Sequence, residues 1–263
     1  MKYIKSIILL ISINILLQGC ASNQAHVKMI DSGKKPTVAI FSDVPDEVHF
    51  ILVGFTMFGN SVHFSKTNHE SALKIEQYGN DKLKLDDKVN VYILTDTDRS
   101  NLNAIKPGPD GHNSKEYVSK ISKWAKGKNI DFVAVVSRTG SQHIKYGRAG
   151  TPYGLGILDD SVSGTYLYSV LNIRLIDSNI PEITDYKSAS TFQKIPTVKS
   201  GNNRFDQDNY KKIDNEKLNI ISLKLEPLMK SNIEFILKDL SLTNDRPGYT
   251  WIDELPATSE ELF

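Results

Sequence analysis

The chain has a single cysteine, Cys20, in 263 residues. No disulfide can form within it, and no pair of thiolates is available to a structural zinc site. An excess of charge of one sign is missing as well. With 32 Lys and Arg against 31 Asp and Glu, interspersed along the chain, there is no electrostatic footprint for nucleic acid or for an anionic lipid surface. No apolar run reaches the roughly 20 residues of a membrane-crossing helix; the first, from Ser6 to Leu17, is interrupted by Ser12 and Asn14. Gly-x-Ser-x-Gly does not occur, which removes the common hydrolase elbow. The histidines, His26, His49, His63, His69, His112 and His143, include no His-x-x-x-His pair for a helical zinc site. Asp96-x-Asp98-x-Ser100 starts like a calcium loop. However, Asn101 stands where the sharp-turn glycine belongs, and Pro107 where the bidentate glutamate does. Gly154-Leu-Gly156 lacks the following Lys-Ser and helix of a phosphate cradle. No cofactor is expected.

What is present begins at the amino terminus. Lys2 and Lys5 precede the short apolar run, and small residues close it, the order of an export signal. Leu17-Gln18-Gly19-Cys20 resembles the lipobox of bacterial lipoproteins. The resemblance implies cleavage before Cys20, a diacylglyceryl group on its sulfur and acylation of the new amino group. Two or more acyl chains give durable attachment where one gives only marginal binding. By analogy with enterobacterial lipoproteins, an aspartate after the cysteine favours inner-membrane retention. Ala21 stands there instead, which implies the outer membrane. The expected organisation is a signal peptide over residues 1–19, a polar tether over 20–35, one α/β domain over 36–243 and an aromatic, acidic tail over 244–263.

Within the domain, Pro36–Ser42, Val89–Leu94 and Asp131–Val136 are apolar, β-favouring runs suited to buried strands. Residues 45–58 place apolar side chains at helical spacing behind Asp43, Pro45 and Glu47, and a helix is expected, with a buried strand as the alternative because both alternating faces are apolar. Ser71–Tyr78 reads as a turn or two of helix. Ser114 caps a helix with Tyr117, Val118, Ile121 and Trp124 on one face, and Gly127 ends it. Gly140–Gly164 reads as a loop. Thr165–Ile176 alternates clearly: Leu167, Leu171, Ile173 and Leu175 face one way, Tyr166, Tyr168, Asn172 and Arg174 the other. Residues 182–193 return as a polar edge strand, and a long helix kinked at Pro227 follows. The expected fold is α/β: a mixed sheet with flanking helices, a C-terminal β-hairpin and a long C-terminal helix.

Ile130–Ser137, the Gly/Tyr loop and "YSVLNIRLIDSNIPEI" over 168–183 resemble the α/β domains of curli-secretion lipoproteins and the amino-terminal domain of the Tol-system protein B. The resemblance covers about half of the mature chain. In open α/β sheets, ligands bind beyond the carboxyl ends of the strands. Those ends carry Asp43, Asp96, Asp98 and Arg138, which would converge if the three strands were parallel neighbours. The expected role is a non-catalytic, lipid-anchored envelope component that binds or assembles. The alternative is a hydrolase or ligand-binding enzyme using those acids. The membrane is engaged through Cys20; the tail, with Trp251 and Phe263, is expected to pack back on its own domain, the alternative being that it offers itself to an envelope protein partner.

Overall fold

The computed structural model of the chain describes residues 24–54, 60–107, 111–140, 151–160, 163–195 and 213–244. Cys20 and the tail, with Trp251 and Phe263, lie outside them. The described elements are α1 (Ala25–Asp31), β1 (Thr37–Ser42), β2 (Glu47–Val53), β3 (Ser61–Lys66), α2 (Ser71–Asp86), β4 (Asn90–Tyr92) and α3 (Asp96–Ala104). They continue with α4 (Lys115–Lys126), β5 (Phe132–Arg138), β6 (Gly154–Asp160), β7 (Gly164–Asp177), β8 (Ile183–Lys194) and α5 (Asn215–Asp239). Among the described residues, no helix is long and apolar enough to cross a membrane.

All eight strands belong to one mixed sheet, and its plan follows from β7. β8 pairs with β7 over Tyr166–Ile176 and so takes one edge of it. β6 pairs with Gly164–Val170 and β5 with Leu171–Asp177. Both must share the other edge, so β5 and β6 lie end to end. The same holds one strand further out, where β1 runs parallel to β5 and β2 parallel to β6. β4 and β3 close that side, beside β1 and β2 respectively. The sheet therefore has two halves stacked along the strand direction, with β7 running through both.

One face is covered by α2 and α5. Ile75, Leu83, Leu225, Ile233 and Ile236 from the helices pack on Ile40, Phe50, Val136, Ile157 and Ile173. On the other face α3 and α4 cover only the lower half, where Leu102, Tyr117, Ile121 and Ala125 meet Phe41, Val133 and Val135. The upper half of that face carries a separate apolar cluster, Ile51, Leu158, Tyr168 and Val170. The α/β architecture, the hairpin β7–β8 and the long final helix are as expected.

Four segments depart from expectation. Residues 47–53 form strand β2 in place of the helix expected over 45–58. Both edges of β2 are paired and Val48 to Ile51 are all buried, so apolar residues are needed on both sides. Part of the expected tether folds as α1: His26 is fully buried and its Nε2 lies 2.9 Å from the Leu240 carbonyl. Strand β6 lies within the expected Gly140–Gly164 loop. Helix α2 extends to Asp86 through Gly79 and Asn80, which obscure its periodicity.

Candidate functional site

The site is the polar interruption between the two apolar clusters of the sheet's second face. Along β7 that face reads Tyr168, Val170, Asn172, Arg174, Ile176. The apolar stripe breaks at Asn172 and Arg174, and Ser137 of β5 stands opposite Asn172. All three are buried and bond to one another. Ser137 Oγ donates to Asn172 Oδ1 at 2.9 Å. Arg174 Nη1 donates to Ser137 Oγ at 2.8 Å and to Asn172 Oδ1 at 2.5 Å. Arg174 Nε reaches Asn113 Oδ1, just ahead of α4, at 2.7 Å. The Tyr186 ring of β8 lies against the guanidinium, 5.1 Å away. Beside Asn113, His112 Nε2 meets Asp43 Oδ2 at 2.5 Å and stands edge-on to Tyr117 at 5.1 Å.

Where the two half-sheets meet, the belt becomes aromatic. The Arg138 guanidinium lies over the Tyr153 ring at 5.0 Å, and His49 stacks on the same ring at 5.8 Å. Phe64 of β3 completes the row, edge-on to His49 at 4.3 Å. Burial holds the His49 pKa down to about 4, so the ring is neutral near pH 7. Arg138 Nη1 also donates to the Glu47 carboxylate and approaches His49 Nε2 at 3.2 Å. Glu47 Oε1 lies at the same 3.2 Å from Nε2, so this ring nitrogen stands between a donor and an acceptor. Phe64 and Tyr153 remain 53% and 38% exposed, so the row ends in open apolar surface. At Gly156, a Cβ would run into the His49 carbonyl and come within 2.6 Å of the Tyr168 hydroxyl. This is the close approach that requires glycine there.

The three strands of the expected site, β4, β1 and β5, are indeed parallel neighbours. Their ends, however, do not form an open crevice, because β1 and β5 run on into β2 and β6. Among the described residues, no hydrogen bond or ion pair joins any two of Asp43, Asp96, Asp98 and Arg138. Asp98 is fully buried in a capping box with Thr95, accepting from its backbone and hydroxyl, from Tyr92 and from Lys128 at 3.1 Å. Asp96 is solvent-exposed beside Arg99. Asp43 serves His112, and Arg138 serves Glu47 and His49. His49 and His63 occupy adjacent register positions on opposite faces. His69 instead packs by Lys74 and Glu226. No group of three or more metal-ligating side chains occurs among the described residues.

Sequence reading missed Arg174, although the alternation of β7 signals it: an Arg and an Asn share a face with Tyr168 in an otherwise apolar strand. Glu47 and Tyr153 carried no such signal, since their roles depend on which strands become neighbours.

No protein-family model matches the chain, and no curated protein sequence matches it. Solved structures overlap it in part, among them the following three. A PelC dodecamer from Paraburkholderia phytofirmans is 11% identical, with a TM-score of 0.37, over 80% of this chain and 90% of that one. A protein from Xanthomonas campestris assigned to the family model DUF330 is 6% identical, at 0.40, over 79% and 84%. A hypothetical protein from Chlamydia trachomatis is 9% identical, at 0.38, over 78% and 95%. At these values the overlap transfers no function to this chain.

Proposed function

We propose that the protein is a lipid-anchored component of the bacterial envelope that binds a protein partner and carries out no chemistry of its own. The observation that carries the binding role is the row Phe64, His49, Tyr153 and Arg138, in which two exposed aromatics lie on either side of His49 and a fixed cation lies over Tyr153. Exposed aromatics with an arginine are the residue types that dominate protein interfaces. The anchor rests on Leu17-Gln18-Gly19-Cys20, and Ala21 favours the outer membrane.

Mass spectrometry of the mature protein should find acylated Cys20 at its amino terminus, and Cys20→Ser should leave the membrane fraction. A Cys20→Ser protein that still sediments with membranes overturns the anchor. For the binding role, crosslinking in intact cells should give a defined product that Phe64→Ser with Tyr153→Ser abolishes at an unchanged melting temperature. A product that survives both substitutions overturns the assignment of the surface. The segment 247–263, with Trp251 and Phe263, is a second contact in the same proposal. Its deletion should remove a partner without lowering the melting temperature; a lowered one assigns the segment to its own domain.

A further inference from the structure

One end of the sheet gathers segments from far apart in the chain. There β1, β4 and β5 begin and β7 ends: Thr37 stands opposite Asn90, and Phe132 stands between Val38 and Asp177. α1 lies against this end, with His26 on the Leu240 carbonyl and edge-on to Phe132 at 5.9 Å. The last turn of α2 joins it. Asp86 accepts from the Asn244 side-chain amide at 2.6 Å, and Asp87 pairs with Lys35 at 2.6 Å. The β7–β8 turn is fastened to the same end, where the Ser178 amide donates to the Asp131 carbonyl at 2.9 Å.

Two large apolar side chains at this end stay outside the core. Leu85, just ahead of Asp86, is 81% exposed, and Ile180, in the β7–β8 turn, is 50% exposed. Single exposed apolar residues are ordinary on a protein surface. What sets these two apart is their place. α1 begins five residues after Cys20, so an acyl group on that cysteine brings this end of the sheet to the lipid first. Charge is balanced or negative here: Lys84–Lys88 holds two lysines and two aspartates, and Asp177–Glu182 holds only acids. Nothing in that balance seeks anionic headgroups, which leaves apolar contact as the attraction.

We propose that this end is a membrane-contact surface, on which Leu85 and Ile180 enter the headgroup region of the bilayer that holds Cys20. The contact rests on the lipid anchor of the proposed function and adds the face that meets the lipid. A leucine and an isoleucine bury too little apolar area to hold a free protein at a membrane. An anchored protein needs no more, because the tether keeps lipid at a high effective concentration. β5 then points away from the bilayer, so that Arg138, its last residue, and the aromatic row stand clear of lipid. The competing occupant is the segment 245–263, which leaves the domain from Asn244 at this same end.

The test places a fluorophore on Leu85→Cys, Ile180→Cys or Leu73→Cys in the full acylated protein, held in phosphatidylcholine vesicles with a nitroxide quencher on the headgroups. All three side chains are exposed, so the labels leave the core intact, and acylated Cys20 offers no thiol to compete. Leu73 is the control: it is 42% exposed on the same helix as Leu85, but about 18 Å further along it. Labels at 85 and 180 should be quenched, and the label at 73 should not. Leu85→Asp should remove most of the quenching at 180. Salt raised from about 0.1 M to about 1 M shortens the screening length from about 10 Å to about 3 Å, and the quenching should survive it; quenching lost to salt overturns an apolar contact. Labels at 85 and 180 no more quenched than the one at 73, on acylated and vesicle-bound protein, overturn the contact and leave the anchor standing. A Cys20 found unacylated by mass spectrometry overturns both. A label at 85 already shielded from a water-soluble quencher in Cys20→Ser protein, without vesicles, assigns this face to residues 245–263 and overturns the lipid contact.

Discussion

Asp98 is fully buried and yet charged. Burial pushes its pKa up, but hydrogen bonds from the Thr95 backbone and hydroxyl, Lys128 and Tyr92 outweigh this and bring it to about 2. The residue that sequence reading offers as a ligand is therefore the fastening of α3. Asp98→Asn keeps the shape and loses the charge-assisted bonds, and should cost about 1–2 kcal/mol by denaturant unfolding. An unfolded aspartate takes up its proton near pH 3.8 and the folded one near 2. The wild type's advantage is complete above that window and is lost as pH falls through it, so the two proteins should converge at its lower end. His49 behaves differently. Its folded pKa of about 4 lies below the ordinary 6.5, so between these values the unfolded chain binds a proton that the fold refuses. Stability should fall as pH drops through that interval, with His26 and His69, also depressed by burial, adding in the same direction. His49→Phe should make the melting temperature less steep in pH there; an unchanged slope would assign the effect to the other two.

Among the elements, β6 is the one whose sequence looks least like a strand, and it is the most constrained by its neighbours. Gly156 faces the His49 carbonyl and the Tyr168 hydroxyl with no room for a methyl group. Gly156→Ala should therefore destabilise the protein by about 2–3 kcal/mol, with loss of β2–β6 pairing visible as faster amide exchange in both strands. Elements were legible where one face alone is buried. α4 shows its stripe and its Ser114 cap, whose hydroxyl accepts from the Tyr117 backbone, and β7 shows its alternation. β2 and β6 were not legible, because both of their faces and both of their edges are occupied and only the assembled sheet reveals those partners. The acids at the strand ends were legible, but the partners they take were not: those depend on β1 and β5 continuing as β2 and β6, which no local pattern records. The final helix gives a further prediction. Pro227 stands inside α5 and removes the amide that would bond the Leu223 carbonyl. Pro227→Ala should raise stability by about 1 kcal/mol or more, measured by thermal unfolding.

At the scale of the molecule, β7 is paired on both edges over nearly its whole length and joins the two half-sheets. Hydrogen exchange should be slowest in β7 and β5 and fastest in the rim strands β3 and β4; equal protection of rim and centre would contradict this plan. The docking of α1 has a separate consequence for where the protein can act. His26 is fixed to Leu240 and stands against Phe132, at the end of the sheet where β5 begins. Only five peptide units separate Cys20 from Ala25, a leash of at most about 18 Å. From Phe132 to Arg138 the strand climbs about 20 Å. A chain acylated at Cys20 thus carries its aromatic row within about 40 Å of the lipid headgroups. Such a chain cannot roam, and any protein it binds must share that membrane or come to it.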